Sequence, residues 1–583
     1  MVHICCDIRL RTRTIADALD FCKCVAHHYG IEYSTIKQVT STMSAPTSML
    51  SVEKKGGVGS AYSNEQAGMR AFQVAEGAPA FQWSHLFGRP IINPVNLKSY
   101  TLPIFSLSNP YSRSFHLSWL GFFVAFLAWF AFPPLIPNAI KSDLALTPDQ
   151  VANSNIIALS ATLAVRLVSG PLVDRYGPRK VMAGLLILGA IPSGLAGTAH
   201  SARTLYVLRF FIGILGGTFV PCQAWTSAFF DKNCVGTANA LVGGWGNMGG
   251  GATFAVMVSL YTSLRSDGLS QHSAWRVAFA IVPVPVLLFV AALTLIFGQD
   301  HPAGKWSERH TLPATSIAIA RGHHVRIDHD AKKLTTDKIN GKGLEEGDVE
   351  VRPVDPDEVM GENILSTVDF AVNESLTYKT AFKILRSPLT WLPALAYLTT
   401  FGLELTIDGQ MANILLALFG KRVSHFDQTK AGYYTSIFGF LNLVTRPFGG
   451  YFGDVIYRKF GTKGKKYLTL LCGLVMGASF LAGGLYLQNN HAAPDLPTVM
   501  GVFAVSAIFS EVGNGANFSL VPHCNSYNNG VMSGIVGGFG NLGGLIFALI
   551  FKFQTATGKA FWIVGAMSIA VNVLLLVVPV PNW

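Results

Sequence analysis

Arg166 and Arg446 are cations set inside long apolar runs, IIALSATLAVRLVSGPLV (156–173) and SIFGFLNLVTRPFGGYFG (436–453). A charge near the middle of a bilayer costs roughly 2.5 kcal/mol or more, so it is kept only where it faces a polar interior. An aspartate follows each arginine eight residues later, as Asp174 and Asp454. Two cations at matched positions point to a buried anion site. The alternative is that each arginine pairs with an internal carboxylate.

The surroundings are those of a polytopic membrane protein. Half of the 583 residues are hydrophobic and 13% are charged, about half the usual charged share. The segment 299–386 holds 27 of the 77 Asp, Glu, Lys and Arg residues, which leaves the remainder depleted. The net charge of +11 comes without basic, aromatic-interleaved motifs, which argues against nucleic acid as a partner. Basic residues cluster instead in the loop 174–180 and at Arg458, Lys459, Lys463, Lys465 and Lys466. That is the positive-inside pattern. The cysteines show no metal-like spacing; Cys222, Cys472 and Cys524 sit in or beside apolar segments, and Cys5, Cys6, Cys22 and Cys24 lack zinc-finger spacing. No metal, cofactor or nucleophile–base set is expected, so an enzyme is disfavoured.

Apolar runs predict an all-α integral membrane protein with twelve transmembrane helices in two six-helix pseudo-repeats. The expected spans are 117–138, 152–173, 180–199, 203–226, 236–262 and 275–298, then 390–418, 431–454, 467–487, 497–521, 530–553 and 560–581. Residues 1–116 read as a disordered cytosolic extension, with Met69 an alternative start; 117–298 and 390–583 form the two bundles. The charged 299–389 segment reads as a flexible cytoplasmic linker. An even number of spans with basic loops after the second and eighth places both termini in the cytoplasm. On this topology the acceptor Asn373-Glu374-Ser375 never meets the lumen.

The halves also repeat in glycine. Gly243-Gly244-Trp245-Gly246-Asn247-Met248-Gly249-Gly250 echoes Gly537-Gly538-Phe539-Gly540-Asn541-Leu542-Gly543-Gly544. The embedded G-x-G-x-x-G lies within an apolar span rather than between a strand and a helix, so it is not a dinucleotide site. Pairs such as Gly246/Gly250 and Gly540/Gly544 let helix backbones approach closely and slide. Asn247 and Asn541 must find partners in hydrocarbon, either another helix or an anion beside the arginines.

Gly170-Pro-Leu-Val-Asp174-Arg175-Tyr-Gly177-Pro-Arg179-Lys180 resembles the latch loop between spans two and three of the major facilitator superfamily. The second copy keeps Gly450 and Asp454 and then departs from the pattern, which puts its latch role in question. The two arginines and both glycine segments together resemble the nitrate/nitrite porter family of that superfamily. Residues 208–221 and 304–309 are similar to fungal-type high-affinity nitrate transporters. The resemblance covers about 90–583. It implies the major facilitator fold, with nitrate held between Arg166 and Arg446, an amide contact from Asn247, and Phe219, Tyr397 and Phe401 around the anion. Asn541 would be the symmetric counterpart of Asn247. Guanidinium is planar and forked, and so matches a trigonal oxyanion.

Anion entry into a negative interior is opposed by about 2.3 kcal/mol per 100 mV, so accumulation needs coupling. The resemblance implies proton symport in the plasma membrane, with nitrate, nitrite and protons as partners. Glu404, Asp408 and Glu511 are the candidate proton carriers, with His523 a further one; alternatively they neutralise the arginines. Arg209 reads as structural. Nitrate/nitrite exchange and a non-transporting sensor signalling through the charged insert are the competing readings. Kinases acting on 299–389, near Ser307 or Ser387, are the regulators to consider.

Overall fold

A computed structural model of the chain describes residues 73–307 and 377–580, apart from 75–78, 80, 94–96, 303, 491–492, 525–528 and 555. Met69, Asn373, the four N-terminal cysteines and most of the charged insert lie outside the described residues.

Among the described residues, eight helical stretches are long and apolar enough to cross a membrane. One of them, Gln428–Asn489, is 62 residues long and breaks at Gly461 (φ 60°), a conformation that glycine adopts without penalty. It therefore counts as two crossings. Three further helices, Pro110–Trp129, Val235–Ser266 and Pro388–Phe419, are 20, 32 and 32 residues long and pack among these spans. The described residues thus hold twelve spans. These are α1 (Pro110–Trp129), α2 (Pro148–Tyr176), α3 (Pro178–Thr198), α4 (Ala202–Phe229), α5 (Val235–Ser266) and α6 (Gln271–Phe297). The second set is α7 (Pro388–Phe419), α8 (428–460), α9 (462–489), α10 (Leu496–Cys524), α11 (Asn529–Phe553) and α12 (Thr557–Leu575).

Local chemistry sets the helix ends. Asn109 accepts from the Ser112 N–H and Pro110 follows it at the first helical position. Thr147 and Gln150 form a reciprocal capping box at the start of α2. The burial pattern is inverted relative to a water-soluble protein. Ile191, Phe289 and Ile296 lie exposed on the belt, whereas Arg166 and Arg446 are wholly buried.

The fifth helix of each set crosses to the second helix of the other. α5 packs on α8 and α1, and α11 packs on α2 and α7. These crossings are lined by glycine. A methyl group on Gly170 would lie 2.9 Å from the Gly530 carbonyl oxygen, and one on Gly251 would lie 2.7 Å from the Gly439 Cα.

The same crossings are latched at one end by the repeated aspartates. Asp174 accepts from the Gly530 and Val531 N–H groups (3.1 and 2.9 Å) at the start of α11. Asp454 accepts from the Thr237 N–H (2.6 Å) and hydroxyl (2.7 Å) at the start of α5, and from Lys465 Nζ at 3.0 Å. Each carboxylate thus sits on the positive end of a helix from the other set. The contact needs only the aspartate, so the second copy makes it despite its divergent loop. Arg175 lies exposed, with its guanidinium over the Tyr176 ring. In the first loop Gly177 (φ 89°) makes the reversal, Pro178 starts α3, and Arg179 pairs with Asp300 at 3.3 Å.

Two expected boundaries shift. The boundary at 116 falls inside α1, and the described residues 97–109 before it are folded. Ser99 N–H donates to the Phe229 carbonyl and the Asp231 N–H donates to Ser99 O, both at 2.9 Å. The apolar residues before α1, such as Ile91, Ile92 and Ile104, come in pieces too short to register as a span. The insert expected to be flexible from 299 begins as ordered chain, with Trp306 buried and donating to the Asp174 carbonyl at 2.9 Å.

At the opposite end, Asp143 in the α1–α2 connection accepts from Trp275 Nε1 (3.0 Å) and Arg276 Nη1 (2.7 Å), with His272 Nδ1 at 2.9 Å. Burial pushes its carboxyl up, but these bonds outweigh burial and hold it below its ordinary value. A depressed carboxylate contributes stability above its unfolded pKa of about 3.9, and loses it as pH falls through the lower folded value. Asp143→Asn is expected to lower the thermal unfolding midpoint of the purified protein at pH 7 by several degrees. In melts at successive pH values, the gap to the parent should close below about pH 4.

Candidate anion site

Arg166 projects from α2 and Arg446 from α8, each at the crossing that joins the two sets of helices. The Arg166 guanidinium is held by two carbonyls, Nε donating to Gly216 O (2.8 Å) and Nη1 to Gly537 O (2.9 Å). Its Nη2 has no hydrogen-bond partner among the described residues. Arg446 Nη2 donates to the Tyr397 hydroxyl at 2.9 Å, while Nε and Nη1 are unfilled. Glu404 Oε2 stands 4.0 Å from Arg446 Nη1, close enough for attraction but too far for a hydrogen bond.

Both cations lie over the same aromatic rings. The Arg166 Cζ is 4.6 Å from the Phe219 centroid and 5.1 Å from that of Phe401; for Arg446 both distances are 5.8 Å. Tyr397 and Phe401, one turn apart on α7, stack at 4.7 Å and 5°. Phe219 faces them from α4 at 6.0 and 6.2 Å, within 20° of parallel. The first glycine of each repeated octet underlies this group. A methyl on Gly243 would sit 3.0 Å from Arg446 Nε, and one on Gly537 would sit 3.0 Å from Phe219 and 3.3 Å from Arg166. The arrangement amounts to a flat slot, walled by aromatic faces and rimmed by three unfilled cationic N–H donors.

The asparagines occupy different surroundings. Asn247 Nδ2 donates to Glu404 Oε1, whereas Asn541 Nδ2 donates within its own helix to the Gly537 carbonyl at 3.0 Å. Both keep an unpartnered carbonyl oxygen among the described residues.

Residues 118–548 match the model of the Major Facilitator Superfamily. The chain is 30% identical over 495 residues to nitrate transporter 2.2 of Chlamydomonas reinhardtii, covering 83% of each chain. It is 30% identical over 488 residues to high affinity nitrate transporter 2.5 of Arabidopsis thaliana, again covering 83% of each. The chain belongs to the nitrate/nitrite porter family of the major facilitator superfamily. The nitrate/nitrite transporter NrtP of Nostoc punctiforme is 29% identical over 482 residues, with 78% of this facilitator and 89% of that protein covered. Among solved structures, the proton:xylose symporter XylE aligns with a TM-score of 0.55 at 14% identity, covering 81% of this chain and 96% of that one. That likeness is one of fold.

In this facilitator the candidate proton carriers gather beside the slot. Glu404, Asp408 and Glu511 line one small cavity with Ile407, Phe438, Ala507 and Ser510. Thr445, the neighbour of Arg446, donates its hydroxyl to Glu511 Oε2. His523 is elsewhere, at the latch end, with Nε2 3.1 Å from Lys465 Nζ and its ring against Tyr457. Arg209 bonds Ser154 (2.7 Å) and Asn155 (2.5 Å) within the first set of helices.

Three polar residues at the slot escape a reading of the sequence alone. Asn442 Nδ2 donates to Glu404 Oε1 at 2.7 Å and Asn514 Nδ2 to Glu404 Oε2 at 2.5 Å. Gln223, one turn beyond Phe219, donates to Asn239 O at 3.1 Å and has an unfilled Oε1. The one available signal for Asn442 was its position four residues before Arg446.

The slot is shut at both ends. The aspartate latches close one. At the other, Lys552 Nζ donates to Asn153 Oδ1 (2.7 Å) and Gln428 Nε2 to Pro134 O (2.8 Å). Arg166, Arg446, Phe219, Tyr397 and Phe401 are all 0% exposed. This is an occluded arrangement.

Proposed function

We propose that this chain imports nitrate, with nitrite as a second substrate, across the plasma membrane by proton symport and alternating access. Both termini then face the cytoplasm, as the basic loops near the aspartate latches require. The observation that carries the reading is the pair of fully buried guanidiniums, one from each set of helices, with three N–H donors unfilled. A buried donor left unpaired is costly, so such a rim calls for a charged acceptor. The parallel faces of Phe219 and the Tyr397–Phe401 pair suit a planar anion better than a tetrahedral one. Asn247 and Asn541 flank the slot, and Glu404, Asp408 and Glu511 supply groups able to carry protons beside it. Occlusion at both ends is the state that rocking between two open faces must pass through. Gly170, Gly244, Gly246, Gly250, Gly538, Gly540 and Gly544 give the moving helices smooth contacts, and Asp174 and Asp454 hold one end shut. Kinases acting on 299–389, where Ser307 is exposed, would regulate it.

The test is nitrate-evoked current in voltage-clamped cells at external pH 5.5 and 7.5. An inward current that grows at acid pH is expected, since more than one proton per nitrate makes the step electrogenic. Labelled nitrate that never enters, at verified surface expression, would overturn the transport reading in favour of a sensor. Uptake that is indifferent to pH and driven by internal nitrite would replace symport with exchange.

A further inference from the structure

Glu404 is bound by three asparagine amides from three different helices: Asn247 on α5, Asn442 on α8 and Asn514 on α10. All three present NH₂ to it. A carboxylate only accepts, so this set satisfies the ionised form; a protonated carboxyl must itself donate and needs a carbonyl to receive it. Asn514 is not free to offer one, because its Oδ1 accepts from the Thr400 hydroxyl at 2.6 Å. Asn247 and Asn442 are free: their Oδ1 atoms are buried with no partner among the described residues. Turning a primary amide over exchanges oxygen for NH₂ in nearly the same volume.

We infer that Asn247 and Asn442 are positioning residues that couple proton to anion, by turning an amide over when Glu404 is protonated. This rests on the symport reading above. The turn gives Glu404 an acceptor and moves an NH₂ group to where a carbonyl oxygen had stood. Asn247 lies one turn along the α5 face on which Gly243 abuts Arg446. Its turned NH₂ therefore joins the unfilled Arg446 donors at the anion. At the same time the negative charge 4.0 Å from Arg446 is removed. Both changes favour an anion, and by reciprocity a bound anion favours the proton. The other ionisable groups around Glu404 are Tyr397 on its own helix, Arg166 across the slot, and Asp408 and Glu511 in the shared cavity. Among the described residues, Glu404 alone of these groups is held by amides from three helices.

The experiment is calorimetric titration of the purified full chain with nitrate from pH 5 to 8. Affinity should rise as pH falls. Asn442→Leu removes one bond to the charged form, so the midpoint of the profile should move up by about one pH unit. Glu404→Gln, isosteric with the protonated acid, should give a flat profile. A uniform loss of affinity in Asn442→Leu with the midpoint unmoved would overturn the coupling role, as would a pH-dependent Glu404→Gln. Nitrate failing to bind the folded parent at any pH would instead overturn the substrate reading, and this inference with it.

Discussion

Arg166→Lys and Arg446→Lys are each expected to reduce nitrate uptake by about a hundredfold at matched surface expression, although both keep the charge. Each bond to a charged group contributes about 1.5–3 kcal/mol, and 1.4 kcal/mol is a factor of ten. Arg166 spends Nε and Nη1 on the Gly216 and Gly537 carbonyls and holds Nη2 in reserve. An ammonium has three donors at a single point and cannot satisfy two anchoring carbonyls and an anion in a fork. Arg446→Lys loses the bond to the Tyr397 hydroxyl or the anion, since one nitrogen must serve both. Uptake assays with labelled nitrate decide the matter, with exposed Arg175→Lys as the control expected to behave like the parent. Two lysine variants that transport normally would remove the arginines from the binding role.

The twelve-helix fold was legible because hydrocarbon leaves a long unbroken signal, and because the halves repeat. Arg166 with Asp174 and Arg446 with Asp454 stand at equal spacing, and the glycine octets are identical at six of eight positions, so comparing the chain with itself located both crossings. What escaped this comparison is what differs between the halves. Asn442 stands one turn before Arg446, but the matching place before Arg166 holds Thr162, which donates to the Gly213 carbonyl. In the amide cradle of Glu404, Asn442 and Asn514 come from the second set and Asn247 from the first, and only Asn247 lies in a repeated octet. Residues 97–109 escaped for another reason. Their stability comes from pairing with the turn after α4, more than a hundred residues away, which no local periodicity reveals. His523 looked eligible as a titratable group in an apolar span, yet depth along the helix places it with Lys465 at the latch end.

Gly540→Ala is expected to cost at least about tenfold in nitrate uptake while leaving the protein folded. Alanine is favoured over glycine within a helix by up to about 1 kcal/mol, so the helix itself gains. The difficulty is space. The new methyl would stand 2.6 Å from Tyr397 Cδ1 and 2.7 Å from Phe401 Cδ1, and both rings are completely buried. Overpacking of this kind costs typically 1–3 kcal/mol, and the stacked pair has to move as a unit because its rings touch at 5°. Displacing Tyr397 pulls its hydroxyl off Arg446 Nη2, and displacing Phe401 thins the slot against Phe219. A change that touches neither arginine should thus act on the anion through the aromatic wall. Gly501→Ala is the matched control, since a methyl there meets nothing within 4 Å and uptake should be unchanged. Labelled uptake paired with thermal melts separates the outcomes. A lower affinity with an unchanged melt places Gly540 under the slot, whereas equal uptake by both alanine variants would show that the wall tolerates the intrusion and does not set the fit.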